Sequence, residues 1–263
     1  MTVQILHWAA AVYLAAGLVA GLGLGLETRR LERASVVLLA AGAALHLLSF
    51  ALLHMVENPP PVTNMVEAFS FMAWVGTVAY LLLLKRSRLS RLVVLVAPAA
   101  FLGPFLAGLR PPSAVPTEQA TGSWPHAHVL FSSAGLALLG LAGFAGVIFL
   151  IEHKRLKSKK PLDRRFPLPS LEALNRVNTV ALGIGFLLLT LGLVTGSIWL
   201  LAAKGMLWSG TAHEIWMIVA WVVYASMVFA RFSGKQGSRR SAINAVAGFA
   251  FLLFAVVSLE LIS

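Results

Sequence analysis

Apolar runs long enough to cross a bilayer recur along this chain, and they leave few folds open to it. Eight are legible, at 3–26, 34–55, 64–84, 90–109, 127–151, 178–202, 213–231 and 242–261. About twenty residues of helix match the thickness of the hydrocarbon core. Backbone N–H and C=O groups in lipid must be satisfied within the segment that carries them, so runs of this length imply helices. The expected fold class is all-α: a polytopic membrane helix bundle of about eight transmembrane helices, forming a single integral membrane domain over 1–263. The share of hydrophobic residues, 59% against 12% charged, agrees with that class.

The formal net charge is +11, and its placement gives it a meaning. Between successive runs stand Arg29, Arg30 and Arg33; Lys85, Arg86, Arg88 and Arg91; the stretch from Lys154 to Arg176; and Arg231 to Arg240. In an alternating topology these groups share one side, leaving only Arg110 and Lys204 of the 21 cations on the other. The positive-inside rule makes the basic side cytoplasmic and, with an even number of spans, both termini extracytoplasmic. A multi-pass protein of a bacterial-type inner or plasma membrane is expected. The partner of this charge is the lipid bilayer, not nucleic acid. Residues 1–26 lack a basic leader and a small-residue cleavage site, so they read as a retained first helix.

There are no cysteines, which excludes disulfides, thiolate zinc sites and covalent attachment of a c-type haem. The single aspartate, Asp163, falls in the basic linker, whereas nearly all the histidines fall at the opposite ends of the runs. No hydrolytic triad can be assembled, and the chain is not expected to be an enzyme. GLGLG at 21–25 lies inside an apolar run and is not a dinucleotide fingerprint. Gly192-x-x-x-Gly196 reads as a place where two helices approach closely. Pro98 and Pro104 are expected to kink the fourth span, and Pro167 and Pro169 to stop any helix before the sixth.

Chemistry concentrates at the outer ends. His7, His54, His126, His128 and His213 lie at or near them, and His46 lies two turns deeper on the face of His54. The stretch Gly196–Trp221 gathers Trp199, Trp208, Trp216, Trp221, His213 and Glu214 around one polar break. Imidazole is a strong ligand for iron, and axial histidine is the commonest protein ligand of haem. Flat aromatic rings beside it suit a porphyrin, and Lys204 could meet a propionate. The alternatives are an aromatic belt at the bilayer interface, histidines bonded to water or headgroups, a His46 satisfied by a neighbouring Ser or Asn, and glutamates that cap helix starts. Glu67 and Glu214 both sit where the helix dipole favours an acid.

Four blocks then carry a resemblance: PVTNMVEAFSFMAW (61–74), HAHVLFSSAGLALLG (126–140), LEALNRVNTVALGIGFLLLTLGLVTGSIW (171–199) and WSGTAHEIWMIVAWVVYA (208–225). Their order is similar to the cytochrome c assembly membrane family, the CcsA/ResC and CcmC-like proteins, and to its reduced HemX/YpjD-like branch. The resemblance implies a haem-handling protein of c-type cytochrome biogenesis, acting on the extracytoplasmic face. By it His128 occupies the position of an outer haem ligand, and Trp199, Trp208, Glu214 and Trp216 fall on the tryptophan-rich platform. The implied cofactor is haem b, held non-covalently, with His128 as the iron ligand. His213 or His46 stands as candidate opposite ligand. Other cytochrome c assembly or tetrapyrrole-pathway proteins are the implied partners. The platform core, W-x-W-D-P-x-E in the family, reads WSGTAHE here, a second family histidine is replaced by Phe229, and a third has no counterpart. Those departures favour the reduced branch and keep open an alternative, a structural or regulatory membrane protein without haem ligase activity. A transporter is a third reading, with no internal repeat to support it.

Overall fold

The computed structural model describes residues 2–57, 65–84, 90–109, 124–158, 169–234 and 236–262. The side chains of 2, 53–57, 65 and 256–262 lie outside that description, and with them that of His54. So do residues 58–64, 110–123 and 159–168, which take in most of the outer loops expected at 57–63 and 110–126 and part of the basic linker.

Among the described residues the chain forms eight α-helices: α1 (Thr2–Gly25), α2 (Arg29–Glu57), α3 (Met65–Leu84), α4 (Val93–Gly108), α5 (Trp124–Lys157), α6 (Leu171–Lys204), α7 (Ala212–Phe232) and α8 (Ser238–Ile262). Seven of them, α1 to α7, are long and apolar enough among the described residues to cross a membrane. The chain is a multi-pass membrane protein. The eighth expected run falls in α8, whose first turn carries Arg239 and Arg240.

Helices α5 and α6 overrun the apolar stretches of 127–151 and 178–202 at both ends. At 1.5 Å per residue each is about 50 Å long, well beyond a hydrocarbon core of about 30 Å. At α6, local capping holds the ends. Ser170 caps α6, its hydroxyl accepting from Ala173 N at 3.2 Å directly after Pro169. Gly205, at φ +70°, closes the other end by donating to Leu201 O. Both prolines of α4 lie inside a helix that continues through them.

The chain divides into two compact units, one holding α1–α4 and the other α5–α8. In the first, α1 and α2 are joined by a tight turn. Thr28 N donates to Gly23 O and Glu27 N to Leu24 O, and Glu27 takes the left-handed φ of 52°. The pattern is a Schellman motif with glutamate where glycine is usual. Arg91 and Glu32, 2.9 Å apart, tie the 3-10 turn Ser90–Leu92 to α2. His46 lies at the centre of this unit, fully buried. Ser70 Oγ is 2.9 Å from its Nε2, Tyr13 OH is 3.5 Å from its Nδ1, and its ring stacks on Phe50. Trp74 donates to Ala43 O one turn away.

The second unit is built on a seam of small residues. Helices α5 and α6 run antiparallel, with Gly135 against Leu189 and Gly185, and Ser132 against Gly192. Helix α8 lies along α5 through Gly143 and Gly146, which face Phe249 and Ala242. Without a hydrophobic force between helices in lipid, close backbone contact and buried hydrogen bonds hold such a bundle. Asn178 supplies the bonds. Its amide donates to Ala142 O at 2.8 Å, and its carbonyl accepts from Ser241 Oγ at 3.0 Å, joining α5, α6 and α8. Helix α7 is fastened at its far end by Arg231, whose guanidinium bonds Asn175 Oδ1 and Thr179 Oγ1. It is fastened in the middle by Trp221, which donates to Thr190 Oγ1 at 2.9 Å.

Candidate functional site

At one end of the second unit the start of α5, the end of α6 and the start of α7 converge. His128 stands on the first turns of α5. Its Nδ1 is 2.7 Å from the carbonyl oxygen of Gly192 on α6. A carbonyl only accepts, so Nδ1 carries the proton and, in the neutral ring, Nε2 keeps its lone pair. The contact exists because Gly196 has no side chain. A Cβ there would sit 2.6 Å from His128 Nδ1. His128 and Ser132 on α5 thus seat on Gly196 and Gly192 of α6, four residues apart on each helix. The close approach expected from Gly192-x-x-x-Gly196 is what positions the imidazole. Its partner carbonyl was not legible in the sequence, since no side-chain pattern reports a backbone acceptor. The glycine spacing was the available signal.

The Trp199 ring, one turn beyond Gly196, lies 6.2 Å from that of His128 at 33°. Lys204, exposed, ends α6 one further turn along. A short connection, 205–211, then leads to α7 and carries Trp208, 46% exposed. Two left-handed glycines, Gly205 and Gly210 (φ +75°), shape it.

Thr211 is the N-cap of α7. Glu214 N donates to Thr211 Oγ1 at 3.4 Å. The Glu214 carboxylate turns back, accepting from Ser209 N (2.8 Å), Gly210 N (2.9 Å) and the Ser209 hydroxyl. The carboxylate is thus committed to the connection. Glu214→Ala removes three hydrogen bonds and is expected to lower stability by about 1–2 kcal/mol. The drop should register as a lower thermal midpoint of the detergent-solubilised protein.

His213, exposed on the first turn of α7, lies within electrostatic range of His128. The two imidazoles expected to act together are therefore at the same end of one unit. Trp216 is not part of the exposed surface there. Its ring is 5.8 Å from both Phe251 and Phe254, so it packs α7 onto α8. Trp221, two turns deeper, bonds Thr190 and lies beside Phe186. His46 belongs to the first unit, where both its ring nitrogens face hydroxyl groups.

Among the described residues no three His, Cys, Asp or Glu side chains gather as they would around a bare metal ion. An iron already held by four porphyrin nitrogens needs only one or two axial donors, so the pair His128 and His213 fits haem better than a free cation.

Sequence comparison covers most of the chain, the second unit included. The relatives named cytochrome c biogenesis protein CcsA include one from Prochlorococcus marinus (strain MIT 9303), 29% identical over 233 residues. That match takes in 77% of this chain and 73% of the relative. The protein of that name from Mesostigma viride is 27% identical, covering 77% and 74%. The one from Chlamydomonas reinhardtii is 30% identical over 211 residues, covering 77% and 58%. Residues 62–263, which include α3 to α8 and every part of the His128 site, match the family described as cytochrome C assembly protein, and the chain belongs to that family.

Proposed function

We propose that this protein handles haem in cytochrome c biogenesis, binding it non-covalently at the His128 end of the second unit. The observation that carries the reading is the bond from His128 Nδ1 to Gly192 O. A histidine that ligates metal usually donates its other N–H to a carbonyl or carboxylate, which fixes the tautomer and leaves the second nitrogen basic. His128 has that arrangement, with Nε2 as the donor to iron.

His213 is the opposite ligand in this reading. Trp199 and Trp208 supply aromatic surface for the porphyrin, and Lys204 supplies a cation for a propionate. Glu214 and Trp216 act at one remove: the first shapes the connection 205–211, the second holds α7 in place against α8. His46, satisfied within its own unit, is given no part in ligation. Binding and presentation of haem require no covalent step on this chain, so the role is that of a handler and not of an enzyme. The charge distribution supports an extracytoplasmic site, with the basic connections in the cytoplasm. The relatives' name supports a place among other assembly components.

The test is the haem content of protein purified from membranes, read as the pyridine haemochrome, together with a haemin titration of the haem-free fraction. A stoichiometric Soret-absorbing complex is expected, weakened in His213→Ala. A protein that carries no haem and yields no saturable Soret band on titration would overturn the reading.

A further inference from the structure

The opposite end of the second unit holds a cavity of about 330 Å³, lined by Leu150, His153, Lys154 and Lys157 of α5 and Arg239 of α8. No carboxylate lines it among the described residues. Glu152, the neighbour of His153 in sequence, is buried and turned towards Arg155 at 3.7 Å. The first turn of α8 has no acidic residue and carries Arg239 and Arg240. Cations there oppose the helix dipole, whose positive end already lies at that turn. Lys154 and Lys157 suit their own position, the last turn of α5, but they add charge to the same space. His153 is held against Phe149 by a parallel stack of 6.0 Å. Among the described residues, therefore, the lining carries a positive charge that no acid in it offsets.

We infer that this cavity binds a phosphate group, as the headgroup of an anionic phospholipid. The lining residues Arg239, Lys154 and Lys157, from two helices, bring a guanidinium and two ammonium groups that suit phosphate oxygens, and basic pockets between membrane helices bind such headgroups. The stripe on α5 fits an amphiphile. Leu150 and Val147 lie one and two turns above Lys154 on one helical face, and Val147 and Ile151 are exposed apolar residues there. A headgroup in the cavity would leave its acyl chains along that apolar surface. The site is independent of the haem reading and lies about 40 Å along α5 from His128.

The test is binding of dioctanoyl phosphatidylglycerol, dioctanoyl phosphatidylcholine and inorganic phosphate to the purified full-length protein in detergent. Wild type is compared with Lys154→Gln/Lys157→Gln/Arg239→Gln and with Arg29→Gln/Arg30→Gln/Arg33→Gln, which removes three cations elsewhere. Saturable binding of phosphatidylglycerol is expected, with phosphatidylcholine at least tenfold weaker. The first triple variant should lose affinity on the order of a hundredfold, at about fivefold per cation, and the second should not. Equal losses in the two variants, or no preference for the anionic lipid, would overturn the site. Inorganic phosphate binding as tightly as the lipid, with the same loss in the first variant, would keep the phosphate site and overturn its assignment to lipid.

Discussion

His128→Ala is expected to abolish the Soret band of the purified protein and to lower its haem content at least tenfold, while leaving the helix bundle folded. The two effects separate because of what the imidazole does at each nitrogen. On the proposed reading Nε2 is the donor to iron, and no neighbouring side chain can replace it in place. The structural role of Nδ1 is smaller. The carbonyl of Gly192 that it bonds also accepts from Thr195 Oγ1 at 3.1 Å, so the variant leaves that oxygen with a partner. A loss of about 1 kcal/mol is the expected structural cost. The control is His128→Gly supplemented with imidazole. With no Cβ at 128 and none at Gly196, the space vacated admits the free ring, and the Soret band should return in proportion to imidazole concentration. A variant that loses haem but is not rescued, and whose thermal midpoint collapses, would mean that His128 is a packing residue.

Gly143→Leu is expected to prevent assembly of the second unit. A Cβ at 143 would collide with Phe249 Cβ and lie 3.1 Å from Ala245 O, and neither atom is the far end of a flexible side chain. Helices α5 and α8 must then separate, and the Asn178 bridge that joins α5, α6 and α8 goes with them. Overpacking of this kind costs typically up to about 3 kcal/mol, and more when backbone must move. Loss of a bundle's hydrogen-bonded centre adds to it. Membrane yield and thermal midpoint in detergent read the effect. Gly140→Ala, one turn earlier, meets only the rim of the Phe249 ring at 3.4 Å and should be nearly neutral. Comparable behaviour of the two variants would mean that the α5–α8 contact is looser than the structure has it.

The elements and their order were legible in the sequence because bilayer thickness imposes a length on every apolar run. Each of the eight runs corresponds to a helix. The ends were not, because hydropathy reports where lipid can lie, whereas a helix ends where its last carbonyls and amides find caps. Hence α6 begins at Leu171, after Ser170, and not at the first residue of its apolar run. The candidate site was half legible. The position of His128 and the Gly192/Gly196 spacing could both be read, but not that the one seats on the other. His46 and Trp216 looked equally available as chemistry. Only the packing assigns them, His46 to hydroxyl partners inside the first unit and Trp216 to the aromatic face of α8.

By itself, then, the sequence determined an all-helical membrane protein with its histidines and tryptophans concentrated in particular segments, since residue type and spacing are local quantities. The tertiary structure decided which nitrogen of His128 is left for a ligand, which tryptophans remain at the surface and where an uncompensated cluster of cations surrounds a cavity. Each of those depends on what a second helix brings to within a few ångströms, and that distance is set by small residues on both partners.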